Sequence, residues 1–270
     1  MSALLEVRDV VKHYGGVVAL RGASLDVEER SITGLIGPNG AGKTTLFNII
    51  SGFRRSEGGT VRFGDERIER RSPDRVARSG LVRTFQQTKA LTRMTVLDNM
   101  MLAAPRQPGE HLWRLATSRG AVRRREREVV ERARELLALV RLESHASAYA
   151  GTLSGGQRKL LEFGRALMVE PRMVLLDEPM AGVNPTLGLQ LLERVQELRA
   201  ARGTTFLLIE HDLEVVMAVS DTVHVMSEGA VIASGLPAEI RANSDVIDAY
   251  LGKHGEPARA PTPPDGEPAG

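Results

Sequence analysis

Between Leu4 and Val27 the apolar residues largely alternate: Leu5, Val7 and Val10 come before a Gly15-Gly16 pair, and Ala23, Leu25 and Val27 after it. A period of two buries one face of a strand, so this stretch predicts antiparallel sheet with a turn at the glycines. Ile32, Leu35 and Ile36 predict a further, apolar strand. Beyond it Leu46, Ile49 and Ile50 recur at helical spacing until Ser51-Gly52 ends the run. Residues 58–68 read as short strands about a Gly64-Asp65 turn, and 72–79 as a brief helix with proline in its first turn. An apolar segment from Leu81 then delivers Gln86 to a loop. Thr95–Leu102 reads as a helix, which Pro105 to Gly109 break ahead of an irregular stretch around Trp113.

The second half alternates helical and strand patterns. Val122, Val129, Ala133, Leu136, Leu137 and Val140 form one stripe of a helix over 119–140, and Leu160, Leu161, Gly164, Leu167 and Met168 a stripe of the helix that Ser154 opens. Met173–Leu176 and Thr204–Ile209 are uninterrupted apolar runs, separated by a helical pattern over 186–200. Such runs are strands buried on both faces, as in a parallel sheet covered by helices. A hairpin about Glu228-Gly229 and a last helix over 245–251 complete the pattern, which is that of an α/β protein.

The chain has 270 residues, 42% of them hydrophobic, enough for a globular core. With 36 basic and 34 acidic residues and a net charge of +2, it offers no general attraction to nucleic acid or membrane. The arginines of the 119–140 helix include Arg123, Arg124, Arg125, Arg127, Arg132 and Arg134; Glu126, Glu128, Glu131 and Glu135 partly cancel them, as on a solvated face. There is no cysteine, which excludes disulfides and thiolate metal sites. The N-terminus lacks the basic start and apolar core of a secretory signal, so no export is expected. Nowhere do about 18 apolar residues run together, so any spanning segments would belong to other chains. Residues 255–270 hold five prolines and almost no large apolar groups, the composition of a disordered tail.

The chemistry gathers at the loops. Gly37, Pro38, Asn39, Gly40, Ala41, Gly42, Lys43 and Thr44 fit the pattern G-x-x-x-x-G-K-[ST] between a strand and a helix, followed by Thr45. Small residues there let backbone N–H groups close around phosphate oxygens, Lys43 reaches the outer phosphates and the Thr44 hydroxyl serves Mg²⁺. Ser154 and Gln157 make a capping-box pattern, while Gly155 and Gly156 expose backbone N–H groups as a second anion site. Asp177 ends a buried strand, where parallel sheets bind ligands, and is placed to hold Mg²⁺ directly or through water. Glu178, next to it, is placed to polarise an attacking water. His211 follows another core strand, within reach of a terminal phosphate. Tyr14, ahead of the phosphate loop, reads either as an adenine-stacking ring or as a sheet-edge tyrosine.

Phosphate loop, glutamine loop, Leu153-Ser154-Gly155-Gly156-Gln157, Asp177-Glu178 and histidine, in that order, resemble the ATP-binding cassette ATPases over roughly residues 4–252. The resemblance implies a P-loop NTPase core with a mainly parallel sheet, an N-terminal antiparallel β subdomain and a helical signature subdomain. It implies a cassette over 1–254 with a helical insertion at about 88–170. It also implies ATP and Mg²⁺ as ligands, Tyr14 on adenine, and Gln86 as a sensor of Mg²⁺ and of the membrane partner. Two cassettes would pack head to tail, the signature of one capping the γ-phosphate on the other. Val82-Arg83-Thr84-Phe85-Gln86, Ala181-Gly182-Val183-Asn184-Pro185 and Asp245 to Gly252 are more specifically similar to the LivG-type ATPases of branched-chain amino-acid importers. Many cassettes have aspartate where Asn184 stands, and the LivG-type pattern has asparagine. That similarity implies a peripheral subunit on the cytoplasmic face of the cell membrane. Its partners would be two permeases, a second related ATPase or a second copy, and an extracytoplasmic solute-binding protein, with no nucleic acid. A cassette for urea or amide uptake, or for lipopolysaccharide export, would share the same core. A non-transport cassette is the more distant alternative.

Overall fold

The computed structural model describes residues 3–84, 90–105 and 119–251. Gln86, the stretch around Trp113, and the proline-rich tail with the expected boundary at 254 lie outside the described residues.

Strands β1 (Ala3–Tyr14), β2 (Val17–Glu28), β4 (Gly58–Phe63) and β5 (Glu66–Arg67) form an antiparallel sheet in the order β2-β1-β4-β5. Leu5 pairs with Val27 and Val7 with Leu25, as the alternation predicts. Val10 falls three residues after Val7 yet is fully buried with it, because the register shifts between them at Asp9, whose φ is 50°. An extra residue in one strand returns the apolar series to the core face. Gly59 accommodates the bulge, since a Cβ there would lie 2.4 Å from the carbonyl oxygens of Arg8 and Asp9.

The second sheet holds β3 (Ile32–Ile36), β6 (Leu81–Arg83), β7 (Met173–Asp177), β8 (Thr205–Ile209), β9 (Thr222–Ser227) and β10 (Ala230–Gly235) in the order β10-β9-β3-β8-β7-β6. All neighbours are parallel except β10, which closes the hairpin with β9. Every residue of β3, β7 and β8 is buried. Successive side chains enter two cores. Leu35, Leu175, Leu207 and Ile209 pack with the antiparallel sheet and helix α1 (Lys43–Ile50), whereas Ile36, Val174, Leu176, Phe206 and Leu208 face the other helices.

Helix α2 (Pro73–Arg78) precedes β6. The helical layer contains α3 (Val96–Leu102), α4 (Arg119–Leu139) and α5 (Gly155–Leu167), which share Met100, Ala133, Leu136, Leu137 and Phe163 as core. Thr95 caps α3 by accepting the Asp98 N–H. On α4 the predicted stripe from Val129 to Leu137 is buried, while Arg124 and Arg125 pair with Glu128 and Arg132 with Glu135. These ion pairs are those of a solvated face. Helices α6 (Pro185–Arg202), α7 (Leu213–Val219), α8 (Pro237–Ala242) and α9 (Ser244–Leu251) complete the described chain. Among the described residues no helix is long and apolar enough to cross a membrane.

Candidate functional site

Buried strand β3 ends at Ile36, and the loop behind it is shaped by glycine. Gly37 has a φ of 147°, and a Cβ on it would meet the Met226 carbonyl oxygen at 2.1 Å. Gly42 caps α1 in the left-handed region with a φ of 102°. No other residue type fits either position without moving backbone. The loop thus turns tightly over β9, with Asn39, Gly40 and Thr44 exposed. Buried Lys43 donates from Nζ to the carbonyl oxygens of Gly37 at 2.6 Å and Pro38 at 3.0 Å, which centres its ammonium in the loop. Helix α1 carries no acid in its first turn, so the positive end of its dipole faces the loop uncompensated. Such a cradle suits a polyphosphate.

The strand next to β8 brings Asp177 to the same end of the sheet. Its Oδ2 accepts from Arg83 Nη2 at 2.5 Å, and both side chains are nearly buried. Arg83 also donates to Asn48 Oδ1 at 2.7 Å and Ser51 Oγ at 3.3 Å on the α1 side, and its guanidinium lies over the rings of Phe47 and Phe53. One arginine therefore ties the helix behind the phosphate loop to the strand-end carboxylate. Arg83→Met should cost about 3 kcal/mol, because it strands a buried carboxylate. A chemical-denaturation midpoint unchanged from wild type would contradict this. Asp177 Oδ1 is buried and accepts no hydrogen bond from any described residue, so its lone pairs remain for an ion or water.

Glu178 leaves the strand in an unusual conformation, with φ 48°. Its Oε1 lies 2.7 Å from His211 Nε2, so the ends of β7 and β8 present a carboxylate and an imidazole in contact. Glu210, buried beside them, accepts the N–H groups of Met180 at 2.7 Å and His211 at 3.2 Å. Burial pushes its carboxyl up from the usual range, against those N–H groups, and the nearby Glu178 charge adds to the rise. On α5, Lys159 points at the same turn, and burial lowers its pKa although Glu210, Glu178 and Glu162 oppose the fall.

Ser154 forms the expected capping box: its Oγ accepts the Gln157 N–H at 3.2 Å and its own N–H donates to Gln157 Oε1 at 2.9 Å. Gly155 is exposed, whereas Gly156 is buried against Val183 and Leu187. No described hydrogen bond joins Ser154–Gln157 to Gly37–Thr45. Tyr14 is 43% exposed at the end of β1, and the Lys12 ammonium sits 5.5 Å from its ring centre. The expected site residues other than Gln86 thus fall into a phosphate-loop group, a strand-end group, a separate helix start and an exposed ring.

A family model described as "ABC transporter" matches residues 20–181, and one described as "Branched-chain amino acid ATP-binding cassette transporter" matches residues 230–256. The chain belongs to the ABC transporter family as an ATP-binding cassette. The cassette is 42% identical over 250 residues to the high-affinity branched-chain amino acid transport ATP-binding protein BraF of Pseudomonas aeruginosa, covering 93% of this chain and 98% of that one. It is 40% identical over the same length, with the same coverage, to the corresponding protein LivG of Escherichia coli K12. It also superposes, with a TM-score of 0.78 and 36% identity, on the ADP conformation of MJ1267, an ATP-binding cassette of an ABC transporter, covering 93% of this chain and all of that one. The cassette therefore binds nucleotide and is an ATPase with the α/β fold of its family.

Several residues of this site do not emerge from motif reading. Glu210 directly follows a buried strand as Glu178 does, and the same rule would have singled it out. Arg83 and Lys159 carry no such mark, since their partners are distant in sequence. Tyr250, on α9 within the C-terminal family match, meets the backbone at Gly37; burial raises its pKa and that contact restrains the rise. The last described helix thus reaches the phosphate loop. Asn184, by contrast, has a local explanation: its side chain accepts the Thr186 N–H at 2.9 Å and caps α6.

Proposed function

We propose that this cassette is the ATP-hydrolysing subunit of an importer for branched-chain or related apolar amino acids. The single observation that carries the reading is the Glu178–His211 pair at 2.7 Å beside Asp177, at the ends of β7 and β8 on one side of the phosphate-loop strand. The substrate class is supported by the match of residues 230–256 to the branched-chain cassettes and by the names of the relatives. The cassette runs from residue 1 to 254 with its helical insertion at about 88–170, and 255–270 is a tail.

Backbone N–H groups of Gly37 to Thr45 hold the phosphates, Lys43 donates to their outer oxygens, and Tyr14 stacks on adenine. Asp177 Oδ1, the Thr44 hydroxyl and Gln86 would hold Mg²⁺; the buried, unpartnered carboxylate oxygen fits that role. When bound, the ion supplies neutralising charge at the phosphate oxygens. Glu178 takes the proton of the attacking water, and His211 donates toward the terminal phosphate. Ser154, Gly155, Gly156 and Gln157 of one cassette cap the nucleotide of a second, related cassette or a second copy, so that binding closes the pair and hydrolysis loosens it.

Two permeases and an extracytoplasmic solute-binding protein complete the assembly, with this cassette peripheral on the cytoplasmic face of the cell membrane and no nucleic acid involved. Uptake of labelled leucine and of labelled urea by cells lacking this chain tests the substrate class. Leucine uptake should fall to background and return with the wild-type chain. Intact leucine uptake alongside lost urea uptake would refute the amino-acid reading.

A further inference from the structure

Glu178 occupies a conformation that few residues adopt. Its φ of 48° lies in the left-handed region, and it is followed by Pro179, whose ring crowds the backbone before it. A strained residue persists only where its surroundings over-determine it. The Glu178 N–H donates to the Ile209 carbonyl oxygen at 2.9 Å, the Ala181 N–H returns to the Glu178 oxygen at 3.1 Å, and Glu210 holds the Met180 N–H. From the other side, the Lys159 ammonium donates to the carbonyl oxygens of Glu178 at 3.2 Å, Pro179 at 3.4 Å and Ala181.

An ammonium is a compact charge with three donors, and here it finds three carbonyl oxygens. It stands on α5, the helix capped by Ser154, so the clamp joins that helix to the turn carrying the strand-end carboxylate. We propose that Lys159 is a positioning residue for hydrolysis: by gripping the carbonyls of Glu178, Pro179 and Ala181 it holds Glu178 in its left-handed conformation and aims the carboxylate. This rests on Glu178 being the base. The depressed pKa of Lys159 agrees with an ammonium enclosed by the fold rather than a solvated one.

The test compares Lys159→Met, Lys159→Arg and Glu178→Gln in the full chain, measuring kcat and KM for ATP, equilibrium nucleotide affinity and melting temperature. Lys159→Met should lower kcat by about tenfold to a hundredfold, the scale of a small misplacement, with KM and affinity within about twofold of wild type. Lys159→Arg, which keeps charge and donors, should recover most of that loss. A Lys159→Met kcat equal to wild type beside an inactive Glu178→Gln overturns the inference alone. Wild-type hydrolysis by Glu178→Gln overturns the assignment of the base, and the inference with it. Parallel falls in melting temperature, affinity and kcat, unrelieved by arginine, overturn it in favour of a scaffolding role. Should Lys159→Met not fold, Lys159→Gln is read by the same criteria.

Discussion

Glu178→Gln should lower ATP turnover by about 10²–10⁴-fold, the range general-base catalysis contributes, while nucleotide binding survives. Glutamine matches glutamate in size and keeps an oxygen to face His211, so the contact between the β7 and β8 ends is preserved in shape. It does not act as a base at neutral pH. The Gly37–Thr45 cradle, Lys43 and Asp177 are untouched, and in the proposed site the change would remove a negative charge from beside the terminal phosphate. Affinity for ATP should therefore hold or rise, and with it ATP-driven association of cassettes. Phosphate release and equilibrium ATP binding, measured on the same preparation, check both halves. Hydrolysis at the wild-type rate would remove Glu178 from the chemistry.

What was legible beforehand divides by distance along the chain. The phosphate loop is one contiguous stretch, and its glycines are dictated by local backbone conformation, so residue types alone mark it. The capping box at Ser154 and the buried strands β3, β7 and β8 are equally local, the latter because a strand covered on both faces must be apolar throughout. Even the break in alternation at Val10 is written in the chain, although only strand pairing shows it to be a bulge. The clamps around the site are different. Arg83 and Asp177 are 94 residues apart, Met180 and Glu210 30, Lys159 and Ala181 22. Each pair meets because β6, β7 and β8 lie side by side or because Lys159 on α5 reaches the turn after β7. Hydrophobic periodicity specifies that such strands exist but not which are neighbours. Motif reading therefore locates the loop and strand-end groups and misses those that hold them.

Gly155 and Gly156 show how the structure separates two residues that the sequence presents as equals. A Cβ on Gly156 would meet Leu187 at 2.9 Å and Val183 at 3.2 Å, so this glycine serves the packing of α5 on α6. A Cβ on Gly155 would meet nothing within 4 Å, so no contact in the described chain requires glycine there. Gly155→Asp should then leave folding stability within about 0.5 kcal/mol of wild type, as for an ordinary surface change, helped by an acid at a helix N-terminus. If this helix start caps a nucleotide held by another cassette, the same carboxylate would stand against a terminal phosphate. A like-charge contact costs several kcal/mol, and about 3 kcal/mol is already roughly a hundredfold in an association constant. Hydrolysis in the presence of the second cassette should fall by about that factor, and ATP-driven association in a Glu178→Gln background with it. Gly156→Val should do the reverse, lowering the melting temperature first. Normal hydrolysis by a well-folded Gly155→Asp would detach Ser154–Gln157 from the nucleotide and leave the capping box as their whole role.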